Sequence, residues 1–141
     1  MTDADLKRLT KAGQTVAVVG LSPNPERDSH HVAQYLIGKG FRVIPVRPGV
    51  EEILGHKAYA RLEDIPDHVD IVDVFRKAED TPPVAESAVR IGAGVLWLQL
   101  GIENEVAASI AAAAGLDVVQ NRCIKIEHRR LWNDEGGQGR G

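Results

Sequence analysis

The chain is 141 residues long, 43% hydrophobic and 26% charged, a balance that fits one domain of ordinary size and excludes global disorder. With 17 lysine and arginine residues against 20 acidic ones the formal charge is -3, which excludes a generally basic nucleic-acid binder, and 4% aromatic residues leave no stacking surface for single strands. The single cysteine, Cys123, excludes an internal disulfide and a cysteine-rich zinc site. The start MTDADLKRL lacks the apolar stretch of a secretory signal, and no run reaches the ~18 apolar residues of a membrane span. A cytoplasmic protein with no membrane partner is expected.

A first helix is predicted over Ala4 to Lys11, packed across a sheet. Five short aliphatic runs then follow: Thr15 to Gly20, Phe41 to Val46, Asp70 to Phe75, Gly94 to Gln99 and Leu116 to Gln120. They begin about 25 residues apart, too far for hairpins, and their continuous apolar character is that of parallel strands buried on both faces. Ser29 is the expected N-cap of a helix over His30 to Lys39, with Val32, Leu36 and Ile37 on one face and Gly38 and Gly40 at its end. Arg47 to His68 reads as a long loop with a short helix at Arg61 to Ile65. Pro82 and Pro83 open a helical segment that runs to Ile91, and the alanine-rich Asn104 to Ala114 forms another, stopped by Gly115. Ile124 to Leu131 adds a turn or two, and the glycine-rich Asn133 to Gly141 reads as a disordered polar tail. The pattern is α/β: a doubly wound, five-stranded parallel sheet with helices on both faces, in one domain over 1-132 with a tail over 133-141.

In such a sheet, ligands bind outside the carboxyl ends of the strands, where the strand order reverses. The first strand is followed by Leu21, Ser22, Asn24 and Arg27, the second by Arg47 and Pro48, and the third by Arg76. Leu100 and Gly101 follow the fourth, and Asn121, Arg122 and Cys123 follow the fifth. Four strands thus deliver an arginine to one edge, a local positive field suited to a phosphate-rich anion, although a single strand-end arginine also reads as a solvated charge. Gly20 lets backbone approach a pyrophosphate, and the helix begun at Ser29 offers free amides to it. The motif G-x-G-x-x-G is absent, and so is the acidic residue that holds an NAD ribose. Arg47 stands there instead and favours a phosphorylated ribose, as in NADP or coenzyme A. The missing P-loop argues against ATP or GTP hydrolysis.

No catalytic set emerges. His30 and His31 lie beside the expected pyrophosphate site, where an imidazole could donate to phosphate or equally face solvent. Cys123 could be a reactive thiol beside Arg122 but reads first as a small buried hydrophobe. Trp97 reads as core, and Trp132 as a possible subunit contact.

The stretch VVGLSPNPERDSHHVAQYLIGKGFRVIPVRPG, the strands DIVDVFR and VLWLQLGI, and VVQNRCIKIEHRRL together resemble the small stand-alone CoA-binding proteins. These are similar to the CoA-binding domain of the succinyl-CoA synthetase alpha subunit, and the resemblance covers Leu6 to Leu131. It implies a Rossmann-like domain holding coenzyme A or an acyl-CoA. The pyrophosphate would lie near Gly20, Leu21, Ser22 and Asn24, with Ser29 and His30 behind them, and the 3'-phosphate near Arg27 or Arg47 in the Val46-Arg47-Pro48 turn. The adenine would lie by Val74 to Arg76, which includes Phe75, and Gln99, Gly101 and Asn121 complete the expected site. Val50 stands where the synthetase domain carries a lysine, so Arg47 takes over that contact. The second synthetase domain has no counterpart in this sequence, so ligase activity is not implied. The expectation is a non-enzymatic carrier, sensor or partner of a CoA-using enzyme, with a homodimer as a further possibility. An NADP-linked oxidoreductase and a protein-interaction module with a vestigial pocket are the alternatives.

Overall fold

The computed structural model describes residues 1-137. Seven strands run in chain order as β1 (Thr15–Val19), β2 (Arg42–Val46), β3 (Glu52–Ile53), β4 (His56–Lys57), β5 (Ile71–Val74), β6 (Val95–Leu98) and β7 (Asp117–Val119). Five of them form one sheet in the order β2-β1-β5-β6-β7, and every pairing in it is parallel. The chain winds outward in both directions from β1, so the order reverses between β1 and β5. At that point the connections after the two strands leave toward opposite faces of the sheet and open a crevice above the strand ends.

The helices are α1 (Asp3–Leu9), α2 (Asp28–Gly38), α3 (Thr81–Arg90), α4 (Glu105–Ala113) and α5 (Ile124–Gly137). The strand period of two sorts the core into two halves. On one face Val16, Val18, Ile71 and Trp97 pack against Leu6 of α1, Val32 and Leu36 of α2, and Ile124 of α5. On the other, Ala17, Val72, Leu96 and Leu98 meet Ala85 and Ala88 of α3 and Ala107 and Ala111 of α4. Both faces are covered, which is why the strands read as unbroken apolar runs. Trp97 is fully buried and donates its indole N–H to the Arg122 carbonyl at 2.8 Å. The fold is a Rossmann-like α/β sheet, as the pattern predicts. No helix among the described residues is long and apolar enough to cross a membrane.

Four local expectations change. The N-cap of α2 is Arg27, not Ser29, which lies in the first turn with its hydroxyl committed to the preceding loop. The stretch Arg47 to His68 is not all loop: β3 and β4 pair antiparallel around Leu54 and Gly55, both at positive φ as a tight hairpin turn requires. Within it, the expected short helix is a single 3-10 turn at Leu62–Asp64. Helix α5 continues through Gly137, past the residue where the tail was expected to start, and residues 138-141 lie outside the described residues. Trp132 sits on α5, where its indole donates to Thr10 Oγ1 at 3.0 Å and its ring stacks on His128. These contacts join α5 to the end of α1, and the half-buried ring also lines a shallow surface cavity with Ala4, Lys7, Arg8 and Lys11.

Candidate functional site

Gly20 ends β1 at φ +85 and donates its N–H to the Val46 carbonyl at 3.0 Å. The loop that follows is held by its own polar groups. Ser22 N–H donates to Ser29 Oγ at 2.9 Å, and Ser22 Oγ accepts from Asn24 N–H at 3.0 Å. Asn24 Oδ1 in turn accepts from Glu26 N–H at 2.9 Å. His30 Nδ1 lies 2.9 Å from the Ser22 carbonyl, and because a carbonyl only accepts, Nδ1 carries the proton. Ser29 and His30 are therefore positioning groups that fix the loop, and Leu21 anchors it by a fully buried side chain.

A cavity of about 300 Å³ opens above this loop at the β1/β5 reversal, lined by Gly20, Ser22, Arg27, Asp28, Ser29, Arg47 and Phe75. Arg27 supplies no side-chain cap to α2, so the first amides of that helix lack intrahelical partners where they reach the cavity. Free amides, two guanidinium groups and the helix dipole favour negative charge in this cavity, against the one Asp28 carboxylate on its wall. Arg47 is steadied by a weak donor contact to the Leu21 carbonyl at 3.4 Å.

Two further cavities flank it. One, about 330 Å³, is bounded by Val19, Val46, Arg61, Arg76 and Val84. Glu63 and Arg90 form an ion pair on its wall. Burial would raise the Glu63 carboxyl, but Ser87, the residue's own backbone and Arg90 together hold it below the usual range. The other, about 380 Å³, lies under α5 and is bounded by His31, Val32, Phe75, Gln99, Cys123 and Ile126 among others. Phe75 and Asp28 line both this cavity and the anion cavity, so the two are adjacent.

Three of the four strand-end arginines face the crevice, and the fourth does not. Arg122 Nη1 lies 3.4 Å from Glu127 Oε1, the same oxygen accepts from Arg130 at 2.7 Å, and Arg130 also bridges to Asp3. Arg122 is thus drawn into a network tying α5 to α1. Gln99 is 3% exposed, and its Oε1 accepts from Ile124 N–H, capping the start of α5. Gly101 donates its N–H to Asn121 Oδ1 at 2.6 Å, and Asn121 adopts φ +57 to reach it. These two residues knit the ends of β6 and β7, and neither they nor Pro48 lines any of the three cavities. Leu100 and Ile102 follow the fourth strand at the expected ligand edge, but the sequence assigns them no contact and does not single out Ile126 and Arg129; all four line the cavity under α5. The i, i+3 spacing of Cys123, Ile126 and Arg129 was the available signal, although spacing alone does not say which face of α5 meets the sheet.

An open parallel sheet with an arginine-flanked anion cavity at its strand reversal defines a Rossmann-like nucleotide-binding domain. Residues 14-129 match the family model of the CoA binding domain, and the chain belongs to that family. An uncharacterized protein of Bacillus subtilis, YneT, is 40% identical over 125 residues, 89% of this chain and 93% of its own length. The solved structure of a hypothetical protein from Pyrococcus horikoshii OT3 is 44% identical, with a TM-score of 0.88 over 93% of this chain and 92% of that one. Acetyl-coenzyme A synthetase 1 of Ca. Korarchaeum cryptofilum is 26% identical with a TM-score of 0.70, over 83% of this chain but 28% of the synthetase chain. The likeness is therefore to one portion of that larger enzyme.

Proposed function

We propose that the protein binds coenzyme A, free or acylated, at the carboxyl ends of β1, β2 and β5, and acts through binding as a carrier, a sensor or a partner of a CoA-using enzyme. The convergence of Arg27, Arg47 and the uncapped start of α2 on one cavity at the strand reversal carries this reading. The pyrophosphate rests on the Gly20 to Asn24 loop and the α2 amides. Arg47, at the end of β2, takes the 3'-phosphate, with Arg27 beside it. The adenosine enters the cavity of Val19, Val46 and Arg76, and the pantetheine arm passes Phe75 into the cavity under α5. Family membership supports the same ligand.

A role without turnover is supported by what the polar side chains already do. Ser22 and Ser29, the hydroxyls on the anion cavity, and His30 behind them are engaged in fixing the loop, and a guanidinium is neither an acid nor a base in neutral solution. Calorimetry on the whole chain tests the ligand. A charge-assisted contact to the 3'-phosphate is worth roughly 1.5 to 3 kcal/mol, so CoA binds about ten- to a hundredfold tighter than dephospho-CoA. Equal affinities, or tighter binding of NADP than of CoA, overturn the reading. Steady thiol release from acetyl-CoA well above the spontaneous rate, lost in Cys123→Ser, overturns the role without turnover.

A further inference from the structure

Resting on that CoA reading, we propose that the cavity under α5 receives the acyl end of the ligand, and that the preferred ligand is a CoA thioester of an uncharged aliphatic chain. Leu100 is 63% exposed and Ile126 is 44% exposed, and both line this one cavity. Leu100 approaches from the end of β6 and Ile126 from the first turn of α5. A single exposed leucine needs no explanation, but two large aliphatic groups flanking a cavity floored by Val32 and Phe75 make a continuous apolar strip leading out of it. Phe75 also lines the anion cavity, so a ligand anchored there by its phosphates extends its other end along this strip.

Gln99 supplies the polar partner. It is 3% exposed and lines the cavity, and its Oε1 is fixed by the Ile124 N–H at 3.1 Å. This sets the orientation of the amide and leaves Nε2 with no acceptor among the described residues, a donor on the cavity wall, not sealed in the core, suited to a carbonyl oxygen of the arm or of the thioester. The cations at the rim do not redirect the site toward a carboxylated chain. Arg129 is exposed, Lys125 lies 5.7 Å from the Tyr35 ring centroid, and Asp28 on the same cavity opposes them. An exposed cation gains little from an added carboxylate.

The test is a titration series on the whole chain with CoA, acetyl-CoA and hexanoyl-CoA, and with pentanoyl-CoA against glutaryl-CoA as a pair matched in length. Each methylene taken out of water adds about fourfold in affinity, so hexanoyl-CoA binds at least tenfold tighter than CoA, and pentanoyl-CoA tighter than glutaryl-CoA. In the double variant Leu100→Ser, Ile126→Ser the ratio of hexanoyl-CoA to CoA affinity falls toward one. CoA binding with no gain along the series overturns this inference alone, as does tighter binding of glutaryl-CoA. Failure of CoA and of every thioester to bind overturns the proposed function itself.

Discussion

The carbonyl oxygen of Phe75 lies 2.2 Å from the point where a Cβ on Gly20 would stand. The end of β1 and the end of β5 touch backbone to backbone, and the anion cavity is the space above that contact. Glycine is required there twice over, by its φ of +85 and by Phe75, before any ligand is considered.

Replacing Gly20 is therefore a folding test more than a binding test. Gly20→Ala forces the strand ends apart and costs roughly 2 to 4 kcal/mol from backbone strain and overpacking. Urea unfolding of the variant and the parent measures it. Parent-like stability combined with lost CoA affinity would show that the ligand, not β5, sets the requirement.

Arg47 separates the phosphates. Arg47→Gln lowers CoA affinity by about ten- to a hundredfold and leaves dephospho-CoA nearly unaffected, because only the former carries the 3'-phosphate. Calorimetry with both ligands reads the difference, and an equal loss for both would move Arg47 to the pyrophosphate.

Asp73 lies within β5, opposite Val18 on one side and Trp97 on the other, and is fully buried with both carboxylate oxygens unpartnered. Burial pushes its carboxyl well above the ordinary value, so the folded protein holds it neutral where the unfolded chain ionises it. With the folded pKa above the unfolded one, stability is greatest below the ordinary carboxylate range and is lost as pH rises toward the raised value. Asp73→Val removes this dependence and gains roughly 1 to 3 kcal/mol at neutral pH by removing an unsatisfied buried group. Denaturant midpoints of both proteins across pH 4 to 8 check the sign, and parallel curves would refute it.

His128 shows the opposite dependence. Its ring is 5% exposed, stacks on Trp132, meets Phe41 edge-on at 5.4 Å, and shares a 2.7 Å hydrogen bond through Nδ1 with the Tyr35 hydroxyl. Burial, and then the Lys39 charge, lower its pKa. The unfolded chain thus takes up a proton first as pH falls through about 6.5, and the folded state loses stability below that point. His128→Phe flattens the loss, which thermal melts between pH 7 and 5 would record. An unchanged acid-side slope would place the responsible group elsewhere.

The five strands of the main sheet, their parallel character and the arginines that follow them are legible in the chain alone. Continuous apolar runs, crossover spacing and residue type are properties of the local chain. Which of those groups are engaged by other side chains depends on packing between distant elements. Arg27, Arg47, Arg76 and Arg122 all follow strands, yet Glu127, five residues beyond Arg122, removes that one from the site. Ser29 resembles an N-cap, but the Ser22 N–H claims its hydroxyl and leaves α2 open to an anion. The β3-β4 hairpin escaped notice because Leu54, a residue that seldom takes positive φ, occupies its turn. The face of α5 that lines the cavity was likewise beyond a periodic pattern, since Ile124 packs into the core while Ile126, two residues on, lies at the cavity rim. Periodicity and turn chemistry act between neighbours in the chain, whereas the partners of a side chain are fixed by the packing of elements far apart in it.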